Sequence, residues 1–311
     1  MRALVLGKGK SGTAAAALLK AQGYEVEFAD GYDCVVTSPG LRTKSELQLG
    51  CEELKRRGWK LLAVTGSKGK SSVVKVVADA IGGVPCGNYG RPVTDLVAET
   101  PGWAVVEVSS FQLETTTLPS DTFEAAAILN LQEDHLDRHG SVEVYHGLKR
   151  KLLGMTRHPI DADGSSSDKR SGDRFPILWA GSYFDNEILA GNAAMAVELM
   201  RVAGLDDAKI AAAFKAFEPL PHRMNLVAEI DSVRFIDDSK ATSLAALVAG
   251  VRMASVTHEA QGTNPSRRRW VAKGRRPESG VSSLDRAGQK SVSYWTKCRG
   301  VFCGLERCGR L

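Results

Sequence analysis

The segment LLAVTGSKGKSSVVKVV, Leu61 to Val77, constrains the fold of this chain more than any other stretch. Four apolar residues, Leu61 to Val64, indicate a buried strand, a Gly/Ser/Lys loop follows, and an apolar-periodic helix comes next. Such a loop brings unpaired backbone N–H groups and the positive end of a helix dipole to one point, where a phosphate is held well. The order of strand, loop and helix therefore predicts an α/β domain that binds a phosphate.

The loop also predicts roles for two of its side chains. Lys70 is expected to reach the β- and γ-phosphates of a nucleotide, and the Ser71 hydroxyl to bind a magnesium ion. The usual loop has its first glycine two residues earlier, where this chain has Val64, so the motif is a shortened form. A plain turn between strand and helix is the alternative, and it explains the Gly-Lys-Ser order less well.

The bulk composition indicates an ordinary globular protein. The chain has 311 residues, of which 43% are hydrophobic and 25% charged, enough for two or three modest cores. No apolar run approaches membrane-spanning length, and the N-terminus lacks the layout of a signal peptide, so we expect a cytoplasmic protein with no membrane partner. Six scattered cysteines favour reduced thiols. A monomer is favoured.

The positive net charge comes from one end of the chain. Residues 255–311 contain 12 Lys/Arg and 4 Asp/Glu, whereas residues 1–254 contain 29 and 32. A nucleic-acid-binding function would therefore have to rest on residues 255–311, which include Trp270 and Trp295. This segment has no sustained periodicity, so we expect it to be disordered and nucleic acid not to be a partner.

A second glycine-rich turn lies near the N-terminus. Ala3 to Asp30 contain a strand, a Gly-x-Gly-x-Ser-Gly turn, an Ala/Leu helix and a second strand. This pattern predicts the start of a Rossmann-like unit, which by spacing alone could hold NAD. A third strand, DCVVTSPGL, ends in a Ser-Pro-Gly loop that could place backbone amides beside a phosphate.

Two segments after the phosphate loop indicate buried strands that end in polar loops: WAVVEVSSFQLE and EAAAILNLQEDHLDRHG. Open α/β sheets place their ligand chemistry at such strand ends. Glu107 is positioned to share the magnesium of a nucleotide, with a solvated acid as the alternative. The cluster from Glu133 to His139 has too little Cys and His for structural zinc, and on the residues alone it indicates an ordinary polar loop.

The remaining segments give weaker signals. Lys149 lies beside two other basic residues on a predicted helix, which indicates an ordinary basic face. DADGSSSDKRSGDR indicates a loop, LPHRMN a domain boundary, and VRFIDDSKATSLAALVAGV another strand, turn and helix. Whether Asp238 and Lys240 in that turn touch a nucleotide stays open on spacing alone.

Taken in order, the motifs GSKGKSS, VEVSSFQLE and NLQEDHLDRHG resemble the Mur ligase family, the ATP-dependent amide ligases that build the peptidoglycan stem peptide. The stretch SSFQLE is similar to members that add D-glutamate to UDP-N-acetylmuramoyl-L-alanine. The resemblance covers roughly residues 1–254. It implies a shortened Rossmann-like UDP-binding domain at 1–58 and a P-loop-type α/β ATP-binding domain at 59–219. Residues 220–254 would be the remnant of a Rossmann-like C-terminal domain that is mostly missing, and residues 255–311 match no part of the family.

The resemblance also implies residue roles. The first glycine-rich turn would bind UDP rather than NAD, and the protein would also bind ATP and two magnesium ions. The implied substrate-binding residues are Lys10, Ser11, Gly12, Asp30, Ser38, Pro39, Gly40 and Thr242. The implied ATP-site residues are Gly66, Ser67, Lys68, Gly69, Lys70, Ser71, Ser72, Asn192, Arg223, Asp238 and Lys240. Ser71 and Glu107 would hold the first magnesium, and His135 and a carbamylated Lys149 the second. Lys70, Asn88, His135 and Lys149 would be catalytic.

In the implied reaction, ATP phosphorylates the alanine carboxylate of the UDP-sugar, and the amine of D-glutamate attacks the acyl phosphate. The two magnesium ions and Lys70 would offset the charge on the transferred phosphoryl group. The chain departs from the family pattern after residue 254, where a Gly-Gly-x-x-Lys-Gly-like loop should follow and a shift typical of a reading-frame change appears instead. We therefore expect slow or absent amide formation, and a loosely docked segment 233–251.

Two other functions compete with this interpretation. One is a degenerate nucleotide-binding protein with a basic tail. The other is a folylpolyglutamate synthase, which shares the ATP domain but lacks the glycine-rich UDP domain.

Overall fold

A computed structural model describes residues 1–30, 34–37, 42–161, 178–186, 189–230, 233–241, 250, 271–272 and 293–294. The chain divides into two compact units, Met1–Glu218 and Pro219–Leu311. The division of residues 1–218 into a UDP domain and an ATP domain stays a prediction, as do the boundaries assigned beyond residue 219.

The first unit begins with a four-stranded sheet of order β2-β1-β3-β4. Its strands are β1 (Arg2–Leu6), β2 (Glu25–Ala29), β3 (Cys34–Thr37) and β4 (Arg42–Lys44). Helix α1 (Lys10–Ala21) connects β1 to the parallel strand β2, as the Ala/Leu periodicity predicts. The glycine-rich turn therefore lies at the carboxyl end of β1, where a Rossmann-like unit places its ligand.

The third strand runs in the opposite direction to the first two. β3 pairs antiparallel with β1, whereas a Rossmann-like unit would continue with a parallel strand. The cause is the length of the connection, because only residues 30–33 separate β2 from β3. A parallel strand needs a crossover of a dozen residues or more, and four residues allow only a return in the opposite direction.

A second sheet of five strands has the order β6-β7-β5-β8-β9, and every pair in it is parallel. Its strands are β5 (Lys60–Thr65), β6 (Val84–Gly87), β7 (Trp103–Glu107), β8 (Phe123–Ile128) and β9 (Thr156–Asp161). Because all five run the same way, their carboxyl ends meet at one edge of the sheet. The phosphate loop leaves the central strand at that edge, and the polar segments after β7 and β8 leave beside it.

The helices of the first unit complete its core. They are α2 (Glu46–Arg56), α3 (Lys70–Ile81), α4 (Ser110–Thr115), α5 (Leu136–His139), α6 (Val142–Lys151), α7 (Ala190–Val202) and α8 (Asp207–Ala216). Leu61 to Val64 are fully buried, as expected for the central strand of a sheet covered on both faces. Burying each leucine of this strand contributes about 1.5–3 kcal/mol relative to leaving it exposed. One core cluster contains residues from both sheets.

The second unit contains a hairpin of β10 (Asn225–Ile230) and β11 (Val233–Asp237), which pair antiparallel. Two short strands, β12 (Val271–Ala272) and β13 (Ser293–Tyr294), pair in parallel. Apolar side chains of the hairpin are exposed, with Val227 and Ile230 more than half accessible. The predicted helix after β11 falls on residues 242–249, which lie outside the described residues, and the loose docking of 233–251 stays a prediction.

Within the described ranges, no helix has the length and apolar character needed to cross a membrane.

Candidate active site

The phosphate loop adopts a conformation that requires glycine at its last position. Gly69 has φ of +83°, and a Cβ atom there would lie 2.1 Å from Nδ2 of Asn192. Any side chain would therefore be strained by its backbone angle and would also collide with α7. Helix α3 begins at Lys70, one residue before the predicted start, with Ser71 half-buried and Ser72 buried in its first turn.

Asn130, which follows β8, holds the loop in place. The backbone N–H of Ser67 donates to the Asn130 carbonyl (3.0 Å), and that of Lys68 donates to Asn130 Oδ1 (2.9 Å). Asn130 Nδ2 donates to the Lys68 carbonyl (2.9 Å) and to Oδ1 of the buried Asn192 (3.0 Å). The sequence analysis missed Asn130, although a polar residue directly after a buried strand was a usable signal. Asn192, an implied ATP-site residue, lies against the loop itself.

The Ser67 side chain has its partners within the protein. Its hydroxyl donates to the Gln132 carbonyl and accepts from the Gln132 N–H, both at 2.9 Å. It lies 3.2 Å from the hydroxyl of the buried Tyr145. Ser67 therefore ties the loop to the segment after β8 and to α6, and a direct contact of its hydroxyl with ATP would have to displace one of these bonds.

Two lysine ammonium groups converge on the carbonyl oxygen of Gly66. Lys70 Nζ donates to it at 2.9 Å and lies 3.3 Å from the Ser67 carbonyl, so its side chain folds back over the loop. Lys149 Nζ donates to the same oxygen at 2.9 Å. A third cation, Lys68, pairs with Asp134 at 2.9 Å. This concentration of positive charge suits a nucleotide phosphate.

The interpretation of Lys149 as part of an ordinary basic face is wrong. Lys149 is only 1% exposed, whereas Arg150 is exposed and Lys151 half-buried. Its ammonium lies 4.5 Å from the centre of the Tyr145 ring. Burial, followed by the positive charge of Lys70, lowers the pKa of Lys149 to about 7. The helix therefore turns one of three adjacent basic residues into the protein, which the sequence pattern could not distinguish.

Glu107 is buried, so the alternative of a solvated acid is wrong. It is 3% exposed at the end of β7, and its Oε1 accepts a hydrogen bond from Asn88 Nδ2 at 2.8 Å. Its Oε2 is buried and has no hydrogen-bond partner among the described residues. Buried carboxylate oxygens are rarely left unpaired, and a hard cation is the partner that such an oxygen fits.

The implied magnesium ions are compatible with this donor set. In the described part of the chain, no group of three or more His, Cys, Asp or Glu residues could hold a metal alone. Magnesium characteristically binds through one or two carboxylates together with substrate phosphates and water. Glu107 beside a phosphate loop meets that requirement, and the assignment of both ions stays a prediction.

A cavity of about 270 Å³ lies beside the loop. It brings together the four residues predicted to be catalytic and four that the sequence analysis did not assign. Its lining residues are Lys70, Asn88, Ser109, Ser110, Phe111, His135, Tyr145 and Lys149. The first three unassigned residues belong to the SSFQLE motif, and Tyr145 precedes Lys149 by one helical turn.

The cluster from Glu133 to His139 is more than a polar loop. His135 has φ of +54°, an uncommon angle for a residue other than glycine, and its ring meets the edge of Phe111 at 5.1 Å between centroids. His139 is buried, with Nε2 3.0 Å from the Ser110 hydroxyl. The Phe111 ring therefore contacts both imidazoles, that of His135 at 5.1 Å and that of His139 at 5.4 Å between centroids.

The residues predicted to bind UDP occupy the turn after β1. Lys10 begins α1 and is exposed, Ser11 is half-buried, and Asp30 is exposed at the end of β2. Gly12 packs so closely on β1 that a Cβ atom would lie 2.1 Å from the Gly7 carbonyl. The remaining members of this prediction, Ser38, Pro39 and Gly40, lie outside the described residues.

The second unit gathers its own predicted residues. Met224 N donates to Asp238 Oδ1 (3.3 Å) and Lys240 N to the His222 carbonyl (3.2 Å), so Arg223 lies in a turn folded against residues 238–240. Burial raises the pKa of Asp238, and a hydrogen bond from His222 lowers that of Asp237 to about 2. Thr242 lies outside the described residues.

Comparison with known proteins identifies the family. Residues 64–160 match the model of the Mur ligase middle domain. UDP-N-acetylmuramoylalanine--D-glutamate ligase of Gloeobacter violaceus is 30% identical, over 79% of this chain and 74% of that protein. The chain belongs to the Mur ligase family. A second Mur ligase, the protein of the same name from Vibrio vulnificus, is 32% identical over 70% of this chain and 60% of its own length.

Solved Mur ligase structures share the fold. MurF from Acinetobacter baumannii superposes with a TM-score of 0.53 at 16% identity, covering 80% of this chain and 67% of that one. A MurF ligase from Thermotoga maritima in complex with ADP gives 0.52 at 15% identity, covering 80% and 70%. The segment of this Mur ligase that matches the middle domain contains the loop, Glu107 and Lys149.

Proposed function

We propose that this chain uses ATP to convert a carboxylate into an acyl phosphate, and that its substrates are UDP-N-acetylmuramoyl-L-alanine and D-glutamate. The observation that carries the proposal is that the Lys70 ammonium, folded over the phosphate loop, and the Asn88–Glu107 pair meet at the wall of the cavity. A cation at a phosphate loop and a buried carboxylate that suits magnesium, beside a space of about 270 Å³, fit the transfer of a phosphoryl group to an anion.

The names of the relatives support the substrate pair. Both relatives described above are D-glutamate ligases that act on a UDP-sugar carrying alanine. In this chain the turn between β1 and α1 would receive the UDP group, and the cavity the alanine carboxylate. A cytoplasmic location and a monomeric state are part of the same proposal.

Each residue at the cavity has a role in this proposal. Lys70 releases the loop carbonyls and pairs with the transferred phosphate. Asn88, held by Glu107, donates to the carboxylate that accepts the phosphoryl group. Burial around Lys149 keeps water away from the acyl phosphate.

Magnesium supplies charge neutralisation when it is bound. Ser71 and the unpaired Oε2 of Glu107 would hold the first ion. His135 and Lys149 would hold the second, with Lys149 carrying a carbamate. A pKa of about 7 leaves much of the Lys149 amine unprotonated near neutral pH, and that is the form that adds carbon dioxide.

The test separates activation of the carboxylate from formation of the amide. Purified chain is incubated with ATP, magnesium, UDP-N-acetylmuramoyl-L-alanine and hydroxylamine, which traps an acyl phosphate as a UDP-linked hydroxamate detectable by mass spectrometry. We expect hydroxamate and an equal amount of ADP, both dependent on the UDP-sugar. Release of ADP without hydroxamate, or neither product, would refute the proposal.

A further inference from the structure

Ser110 lines the cavity and is hydrogen-bonded to His139, which in turn lies at ion-pair distance from Glu114. His139 Nε2 lies 3.0 Å from the Ser110 hydroxyl, and its Nδ1 lies 3.3 Å from Glu114 Oε1. Ser110 is 3% exposed, and the His139 side chain 2%. A hydroxyl, an imidazole and a carboxylate in this order are the groups by which serine hydrolases activate a nucleophile.

The neighbouring side chains determine where the proton of the His139 imidazole lies. Glu114 accepts two hydrogen bonds from Arg138, at 3.1 and 2.8 Å, and the bond to Arg138 lowers the pKa of the carboxyl group. A carboxylate can only accept, so the position of Glu114 Oε1, 3.3 Å from Nδ1, favours the tautomer of His139 that carries its proton on Nδ1. Nε2 is then left to accept the proton of Ser110.

The imidazole is held rigidly for this role. The His139 ring contacts the rings of Phe111 and Tyr145, each 5.4 Å away between centroids. General-base catalysis needs a base held in a fixed position beside the hydroxyl, because the proton can then be transferred without a prior rearrangement of the side chains.

The neighbouring serine provides an internal contrast. Ser109 lines the same cavity, but its hydroxyl caps α4, accepting from the Gln112 N–H and lying 3.0 Å from Gln112 Oε1. No imidazole is bonded to it among the described contacts. Two adjacent serines therefore face one cavity, and only Ser110 has a base.

We propose that Ser110 is an activated nucleophile and that this cavity has a second activity, the hydrolysis of small activated acyl compounds such as aryl esters or acyl phosphates. The Ser110 oxygen attacks the carbonyl carbon as its proton passes to His139 Nε2. The bond to the leaving group breaks, and the leaving group takes that proton. Water then attacks the acyl-serine, giving the free carboxylic acid and restoring the hydroxyl.

The cavity favours anionic acyl groups. Lys70 lines it together with Ser110, so a carboxylate or phosphate on the acyl compound would be attracted to the same space. This activity needs neither ATP nor the UDP-sugar, and it stands independently of the proposed ligase function.

The direct test is covalent labelling of the full-length chain with a fluorophosphonate probe, followed by peptide mass spectrometry. Attack of the Ser110 oxygen on phosphorus expels fluoride and leaves a stable phosphonyl-serine. We expect labelling at Ser110 and essentially none at Ser109. Equal labelling of the two serines, or labelling of neither, would overturn the proposal, and this readout needs no variant.

Variants test the role of the base. His139→Gln and Glu114→Gln are expected to lower the Ser110 labelling rate and p-nitrophenyl acetate hydrolysis, His139→Gln by about 100-fold or more. Thermal melting by circular dichroism identifies variants that do not fold. A folded His139→Gln variant that labels and hydrolyses as fast as wild type would refute the assignment of His139.

Discussion

At the scale of single residues, the Gly66 carbonyl is the meeting point of the site. Lys70 and Lys149 both donate to it at 2.9 Å, which holds two like charges close together. Their repulsion is one reason why the pKa of Lys149 is lowered. An arriving phosphate would relieve this repulsion, and so would conversion of the Lys149 amine to a carbamate.

Lys70→Ala should weaken magnesium-ATP binding strongly and leave UDP binding nearly intact. Losing hydrogen bonds to a charged group costs about 1.5–3 kcal/mol, roughly 10–150-fold in affinity. Isothermal titration with each ligand checks this. Lys75→Ala is the matched control, because Lys75 lies on the same helix and pairs with Asp79. Equal loss of both ligands in Lys70→Ala would count against placing them at separate sites.

Lys149→Ala should lower hydroxamate formation, and added bicarbonate should not restore it, because a carbamate requires the amine. The wild-type chain, by contrast, should gain activity when bicarbonate is added to buffer freed of carbon dioxide. The rate of hydroxamate formation with and without bicarbonate is the measurement. Lys151→Ala serves as the control on the same helix. Full activity in Lys149→Ala would show that its burial has no catalytic consequence.

At the scale of elements, the phosphate loop was predictable and its supports were not. An apolar run, two glycines and a helical period are local signals, and they predicted the order of β5, the loop and α3, with β5 placed to within a residue. Asn130, Asn192 and Tyr145 support that loop from distant parts of the chain, so no local pattern could reveal these contacts. The burial of Lys149 was hidden in the same way, since adjacent basic residues look alike until a helix is packed.

Gly69→Ala should impair folding and nucleotide binding more than Gly82→Ala does. Both glycines have positive φ, but only at Gly69 would the added carbon meet another atom, 2.1 Å away on Asn192. The backbone strain alone costs about 1–2 kcal/mol, so Gly82→Ala measures that part. Urea unfolding of both variants and ATP titration of the folded ones supply the comparison. If both variants lose the same free energy of unfolding, Asn192 and α7 must move away from the added carbon without loss of stability.

Glu53→Gln should make the chain less sensitive to acid between about pH 4.5 and 2. Hydrogen bonds from Arg56 and then Arg57 lower the pKa of Glu53 from 4.5 to about 2. A carboxyl group whose pKa is lowered on folding stabilises the protein when the pH is above the pKa that the group has in the unfolded chain. This stabilisation is lost as the pH falls to the pKa of the group in the folded protein. Urea unfolding at several pH values tests it, and replacing both arginines by glutamine should have the same effect. Parallel profiles for wild type and Glu53→Gln would contradict the assignment.

At the scale of the whole molecule, the two units differ in what they supply. Residues 1–218 contain the phosphate loop, Glu107 and the cavity, whereas the second unit contains the turn with Arg223, Asp238 and Lys240. Residues 255–311 contain no stretch resembling the acceptor loop of the family. Holding an amine within attacking distance can supply roughly 7–11 kcal/mol of a barrier, so weak positioning has a large effect on rate.

The chain should therefore form the amide with D-glutamate much more slowly than an enzyme typically turns over, about 1 per second or faster. Radiolabelled D-glutamate with ATP, magnesium and UDP-N-acetylmuramoyl-L-alanine measures it, and the hydroxylamine reaction run in parallel serves as the positive control. Labelled UDP-linked product at enzymatic rates would show that residues 255–311 form a working acceptor site.

The anchoring of the phosphate loop also has a consequence for how the protein emerges from the ribosome. Lys68 bonds to Asn130, 62 residues later, and Asn130 bonds to Asn192, another 62 residues on. At about 5–20 residues per second, the loop waits several seconds for these partners. Pairings this distant in sequence also slow folding. A nascent chain should thus acquire affinity for nucleotide only late in its synthesis, after α7 has left the exit tunnel.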